Sequence, residues 1–358
     1  MIKINAKEML EALKVVAPAI QKNNIIPITE CVKIVAKDKK MSVIGSRINL
    51  FIIHHMEYDG GDFEILLPYF EFKKICSLST GEITIKESKT SLHIHDGSSP
   101  YDLGTPVDVN EFPVIPSIEG SVSVSVDGQL FWGLSQAQKT VFIDQASPTG
   151  NVLLHIGKRD INVVSYNGGQ AFYLSLKNSS KIEKKALLDA SFISAVSDFD
   201  EAEIILSDTN ICAKSHTTEV YGSLHEGTFI EYSILISKYE KTNCTLSLQQ
   251  IKIALDKISV VKTVNIAYAL FQLTEDTMKI AYADTAVQKA AAPELPIKNT
   301  SSVRKILFNV DQLSVSLSQL PPETNNVNIY FTSETSLCFL TPDTDDDIKV
   351  LIQPVKVL

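Results

Sequence analysis

Few side chains in this sequence are placed to do chemistry. His93 and His95 alternate in a run of apolar residues and Asp96 follows, so a strand would present both imidazoles on one face. Metal ligation there would need a third donor at a suitable spacing, and the sequence offers none. His54 and His55 are adjacent and would face opposite sides of a strand. Asp343, Asp345, Asp346 and Asp347 lack the glycine and terminal glutamate of a calcium loop, and read as a solvated hairpin turn. The five cysteines, Cys31, Cys76, Cys212, Cys244 and Cys338, lie in apolar segments with no C-x-x-C, the pattern of buried free thiols in a reducing compartment. No G-x-S-x-G, G-x-x-x-x-G-K or H-E-x-x-H occurs, and Gly168-Gly169 alone makes no phosphate cradle. The expectation is a chain without catalytic activity, cofactor or metal.

Composition narrows the class. The 358 residues are 44% hydrophobic and 21% charged, an ordinary globular balance with room for two or three domains. A formal net charge of -9 argues against nucleic-acid binding over the whole surface but leaves room for a local basic face. No run reaches the ~18 apolar residues of a membrane span. The start "MIKINAKEML" also lacks the pattern of a signal peptide, so a cytoplasmic protein with no membrane partner is expected.

The elements that position these residues follow a repeat. Six segments begin as an apolar strand end, a polar residue or two, and a short helical pattern: "INAKEMLEAL", "LPYFEFKKIC", "VDGQLFWGLS", "LDASFISAVS", "LSLQQIKIAL" and "FNVDQLSVSL". Their anchors Ile4, Leu67, Val126, Leu188, Leu246 and Phe308 are spaced by 63, 59, 62, 58 and 62 residues. Five residues after each anchor stands Met9, Phe72, Phe131, Ile193, Ile251 or Leu313; three further stands Ala12, Ile75, Leu134, Val196, Ala254 or Ser316. That spacing puts each pair on one helical face. Between the helices lie paired strand-like runs such as "GEITIKES" and "SLHIHDG", joined by short polar turns. One helix with about four strands buries too little alone, so two units should form one α+β domain. Three similar domains are expected, at 1–119, 120–240 and 241–358. An array of similar domains, each rotated by a similar angle, curves and closes into a ring if the rotation allows.

In order and spacing, "LEALKVVAPAIQKNNIIPIT", "LLPYFEFKKICSLSTGEITIKE", "DVNEFPVIP", "TGNVLLHIGKRDINVVSYNGGQAFYL", "GTFIEYSILI" and "LIQPVKVL" resemble the bacterial sliding clamp, the beta subunit of replicative DNA polymerase. The resemblance spans essentially the whole chain. It implies the DNA clamp fold in a head-to-tail homodimeric ring around duplex DNA, bound without regard to sequence. The implied partners are the DNA polymerase catalytic subunit, other replication or repair proteins, and a clamp loader. Lys7, Lys14, Lys22, Lys73, Lys74, Lys139, Lys252 and Lys257, on or just after the repeat helices, would face the DNA; solvated lysines on amphipathic helices are the alternative. The fourth and sixth helices carry no Lys or Arg.

The resemblance also implies a groove for an apolar partner peptide. Matching motif by motif assigns it Thr149, Gly168, Gln170, Ala171, Ile230, Ile234, Leu235, Ile266, Asn309, Gln312, Leu351, Ile352, Gln353, Pro354 and Val355. Where the family usually has Asp-Gly-His-Arg-Leu, this chain has "NGGQA", a turn in any case, and a small neutral rim if the groove is real. Gln170 is able to hydrogen-bond a peptide backbone but not to grip a carboxylate as an arginine does. In the tail, Ile348, Val350 and Ile352 are expected to face the core while Lys349 and Leu351 point away, with Pro354 ending the pairing. A diverged clamp paralogue with altered partners, or a repeat protein binding a ligand other than DNA, are the alternatives.

Overall fold

Each repeat turns from strand to helix at its anchor, and the residue after the anchor explains why. Asn5, Asp127, Asp189, Ser247 and Asn309 stand there in five repeats, all types that favour helix N-caps, and Pro68 in the other. The Asn5 side chain accepts the backbone N–H of Lys7 and Glu8, and that of Asn309 the N–H of Asp311 and Gln312. Asp127 accepts from Gln129, and Ser247 from Gln250. The helices are α1 (Ala6–Val16), α2 (Tyr69–Leu78), α3 (Gly128–Gln138), α4 (Ala190–Val196), α5 (Ser233–Ile236), α6 (Leu248–Ser259) and α7 (Val310–Ser318). Of these α-helices among the described residues, only α5 falls outside the repeats. All twelve side chains at the fifth and eighth positions after the anchors are at most 5% exposed.

The computed structural model describes residues 2–22, 27–88, 91–104, 109–118, 121–141, 150–180, 182–239, 243–260, 267–283, 291–345 and 347–356. Two compact units are formed, Met1–Phe131 with Ser191–Leu224, and Trp132–Ala190 with His225–Leu358, called the first and second units below. The repeat groups residues by sequence, whereas these units group them by sheet, so strands from 120–240 fall in both.

In the first unit an eight-stranded antiparallel sheet runs Phe63–Pro68, Cys31–Lys37, Lys40–Arg47, Leu50–Glu57, Thr218–Ser223, Asn210–Lys214, Glu201–Leu206, Val122–Asp127. A four-stranded sheet joins Ile2–Asn5, Glu82–Glu87, Ser91–His95 and Pro100–Gly104. The second unit has a sheet of nine strands, Lys184–Leu188, Val152–Ile156, Asp160–Tyr166, Gln170–Lys177, Ile348–Ile352, Cys338–Pro342, Asn326–Tyr330, Cys244–Ser247 and Lys298–Asn299. Its smaller sheet is Leu295–Pro296, Thr277–Ala283, Tyr268–Leu273 and Lys305–Asn309.

The long sheets share one plan. A hairpin strand pairs antiparallel with a strand distant in sequence, Leu50–Glu57 with Thr218–Ser223 and Gln170–Lys177 with Ile348–Ile352. Burial on both faces drives this join. In the second unit Phe172 and Leu174 face the helices, where Phe172 meets the Trp132 ring and Leu174 lies against Gly133 so closely that a Cβ there would fall 2.2 Å from its methyl. Ala171 and Tyr173 face the other way.

Candidate functional site

On that other face the strand register lines up one residue from each of five adjacent strands. Tyr166 pairs with Ala171, Ala171 with Leu351, Leu351 with Phe339, and Phe339 with Tyr330. At the usual strand spacing the row is about 19 Å long. Ala171, Leu351, Phe339 and Tyr330 are buried, with Tyr166, Leu235, Ile236, Tyr239 and Leu337 half-buried against them. Leu351 does lie on the face away from Ile348, Val350 and Ile352, as expected, but it is 1% exposed because chain covers it.

The cover is the segment around α5. Tyr232 shares a 2.6 Å hydrogen bond with His155 Nδ1 and packs its ring 6.0 Å from that of Tyr173. Burial, and then the charge of Lys185, pull the His155 pKa down, which favours the neutral ring at this contact. Beyond α5, Tyr239 sets its ring 5.6 Å from Tyr330 and 5.5 Å from Phe339. The Lys349 ammonium lies over both Tyr173 and Tyr239, 5.6 and 5.7 Å from their centroids. Ile234 precedes Leu235 on α5 and stays 60% exposed, an apolar side chain turned to solvent.

The turn "NGGQ" closes one end. Asn167 Oδ1 accepts the N–H of Gly169 at 3.0 Å and of Gln170 at 2.8 Å, while its Nδ2 donates to the Thr140 carbonyl at 2.7 Å. Gly168 has φ +91°, a conformation that favours glycine. Gln170 is 5% exposed and its amide points inward, donating to Gln312 O at 2.8 Å and Ser316 Oγ at 2.9 Å. The tail runs past this turn: Gln353 N–H donates to Gly169 O, Gln353 Nε2 to Thr335 O, and Val355 N–H to Leu307 O. Pro354, with no N–H, sits between the last two backbone bonds.

The structure therefore gathers Gly168, Ala171, Leu235, Leu351 and Gln353 about one row and turn, with Val355 following along the tail and Ile234 beside Leu235 on α5. Ile230 is half-buried in the covering segment. Ile352 is fully buried on the opposite face, and Asn309 is spent capping α7. Gln312 reaches the turn through its carbonyl. Thr149 and Ile266 lie outside the described residues. Sequence reasoning missed Tyr166, Tyr239, Tyr330, Leu337 and Phe339. The alternation in "NNVNIYF" sets Tyr330 on the face of Asn326 and Asn328, opposite Val327 and Ile329, and "SLCFLTP" has apolar residues on both faces, so only the register shows that Tyr330 and Phe339 continue the Ala171–Leu351 pair.

The cationic candidates are considered unit by unit. In the first, Lys7 and Lys14 are exposed on α1 opposite buried Met9, Ala12, Leu13 and Val16, and Lys14 pairs with Glu11 at 2.7 Å. Lys22 lies over the Phe70 ring, and Lys73 bonds the Tyr69 hydroxyl while Lys74 is exposed. In the second, Lys252 and Lys257 are exposed on α6. Lys139 donates to Gln136 Oε1 at 2.6 Å and to Ser318 O at 3.2 Å. Burial first, and the nearby Lys252 second, lower its pKa, so these two cations share one neighbourhood.

The remaining polar clusters are bound up locally. His93 and His95 share the exposed face of their strand, His93 paired with Asp102 and His95 accepting Gly97 N–H. Asp96 accepts from Ser98, Ser99 and Tyr101, and the two backbone bonds hold its carboxyl far below the usual range. Asp343 accepts from Asn325 and Asn326, and Asp345 from Asp347 N–H; Asp346 lies outside the described residues. Among the described residues no three His, Cys, Asp or Glu side chains are grouped to hold a metal ion, and no helix is long and apolar enough to cross a membrane.

Comparison with known proteins agrees in sequence and fold. Residues 1–116 match the family described as the DNA polymerase III beta subunit, N-terminal domain. The chain is 19% identical to the beta sliding clamp of Pseudomonas putida over 99% of each chain, and 24% identical to that of Streptococcus pneumoniae over 99% of this chain and 98% of the relative. Its fold matches the crystal structure of the DNA polymerase III subunit beta from Pseudomonas aeruginosa with a TM-score of 0.91 at 18% identity, covering 99% of both chains. The DNA polymerase sliding clamp of Bacillus subtilis gives a TM-score of 0.88 at 17% identity, again over 99% of both. Over its whole length the chain is thus similar in sequence and fold to bacterial beta sliding clamps, and its first 116 residues match the N-terminal domain family of that subunit.

Proposed function

We propose that this protein is a DNA sliding clamp, a processivity factor without catalytic activity of its own. Two chains join head to tail around duplex DNA, and the ring tethers DNA polymerase and other replication or repair proteins in the cytoplasm. A clamp loader opens it. Supporting this reading over a diverged paralogue or a repeat protein for another ligand is the end-to-end match to beta sliding clamps.

The observation that carries the tethering part is the apolar row from Tyr166 to Tyr330, roofed by α5, on which Ile234 is exposed. It is an apolar row under a thin, partly exposed cover, with backbone polar groups beside it at the Gly168–Gln170 turn, and a short peptide with apolar anchors would bind by displacing that cover. DNA would be held by topology and by phosphate attraction to the lysines on or after the repeat helices, without base readout.

Retention on nicked circular DNA tests this directly. The clamp should stay on the circle and run off once the DNA is linearised. Equal retention on both forms, or a stable monomer at micromolar concentration, would refute the ring.

A further inference from the structure

The two long sheets, built on one plan, differ where each hairpin strand begins. Leu50 begins the hairpin strand of the first unit and pairs with Gly222; Gln170 begins that of the second and pairs with Ile352. Leu50 is 1% exposed and Gln170 5%. The eighth residue after the anchor is Val196 in the fourth repeat and Ser316 in the sixth, both fully buried. In the other five repeats that position is apolar, so Ser316 breaks the pattern. The first unit thus has an apolar residue at each position, and the second a polar one at each, joined by the 2.9 Å bond from Gln170 Nε2 to Ser316 Oγ.

Burying a matched polar pair where an apolar pair also fits gains little stability, and what it adds is a fixed geometry. Gln170 Nε2 donates a second bond to Gln312 O, and the Gln170 backbone N–H is bound by Asn167. Turn and helix are pinned to each other through this one residue. Gly169, next in the turn, accepts the tail through Gln353 N–H.

We infer that Gln170 and Ser316 are positioning residues for the partner groove: Gln170 acts on a bound peptide by holding the 167–170 turn and the tail against α7, not by touching the peptide. This rests on the groove reading above. It replaces the expectation from sequence that the Gln170 amide meets the peptide backbone.

The test is a double-mutant cycle on the full-length chain, read by anisotropy of a labelled heptapeptide bearing adjacent Leu and Phe. Gln170→Ala and Ser316→Ala should each weaken binding about fivefold, the usual worth of one hydrogen bond. The double variant should be no weaker than the weaker-binding single, because both remove the same lock. Gln170→Leu with Ser316→Val, the pair of the first unit, should keep thermal stability yet lose affinity, which separates positioning from folding. A silent Ser316→Ala, a multiplicative double variant, or wild-type affinity in the apolar pair would each overturn the inference. A wild-type chain that binds no peptide would overturn the groove reading itself, and this inference with it.

Discussion

Removing the Tyr239 ring should free the roof of the groove without unfolding the sheet beneath it. The ring makes aromatic contacts with Tyr330 and Phe339 and lies under the Lys349 ammonium. Each aromatic pair contributes about 0.5–1.5 kcal/mol and a partly exposed cation–π contact about 0.5–1 kcal/mol, so Tyr239→Ala should lose about 1.5–4 kcal/mol of local docking. The sheet residues keep their register bonds, and Tyr232 still holds the start of α5 to His155. Opening should therefore be confined to the end of the segment, and hydrogen exchange is the measurement that resolves it. The amides of Ile236 and Tyr239, bonded to Tyr232 O and Ile236 O, should exchange at least tenfold faster, while those of Cys338–Pro342 stay unchanged. Tyr239→Phe keeps every ring contact and should exchange more slowly than the alanine variant at both amides. Unchanged exchange at Ile236 and Tyr239 in the alanine variant would refute the view that this ring clamps the roof.

Glu219, its side chain 13% exposed, accepts from His55, Lys214 and Tyr221, and those bonds, the one from His55 foremost, pull its pKa from 4.5 to about 2. A carboxylate depressed on folding stabilises above its unfolded value; up to about 3 kcal/mol should be lost as pH falls from 4.5 toward 2, and Glu219→Gln should flatten that part of the denaturation profile. A wild-type profile as flat as the variant's would count against the cluster. Lys14→Glu, Lys73→Glu and Lys252→Glu together should abolish retention on circular DNA and reduce the salt dependence of binding by up to about three phosphate contacts; indifference would remove these lysines from the DNA-facing set. Burial pushes the thiols of Cys31 to about 11 and of Cys76, Cys212 and Cys244 to about 12, and raises Cys338 too, so native protein at pH 8 should take up less than one iodoacetamide per chain until denatured.

What the sequence disclosed is what local chemistry decides. A cap residue after a strand end, then apolar side chains at the fifth and eighth positions, fixes where each helix starts and which face it buries; the structure buries every one of those side chains. Hairpins such as Glu82–Glu87 with Ser91–His95 follow from alternation and a short turn. The candidate site was legible only where it is local, at the Asn167–Gly168 turn and in the apolar tail. Its floor was not, because Ala171 meets Leu351 through pairing of strands far apart in sequence, and no neighbour of either residue encodes that register. Nor was the inward turn of Gln170 visible, since an amide suits a rim and a core equally until its acceptors are known. Ser316, a hydroxyl at a position apolar in the other five repeats, was the one available signal.

Register also sets the proposed groove of the second unit apart from the matching row of the first. In the first unit the corresponding row is Ser46, Phe51, Tyr221, Cys212 and Ile205. Phe51 stands where Ala171 stands in the second unit. Phe51 is 5% exposed and brings a ring to the row from within the sheet, while Phe112 packs on the neighbouring Ile44 and Ile53 and carries the Lys33 ammonium over its own ring. At Ala171 the sheet supplies one methyl group. The space above this cluster is taken by half-buried side chains, Tyr166 from a strand end and Leu235 from α5. Side chains at a strand end and on a one-turn helix move at far less cost than a ring fixed in mid-sheet. In the proposed groove, Ala171 is thus the position where the sheet itself fills least of the space and the cover fills the rest, so an apolar anchor would enter there by displacing the cover.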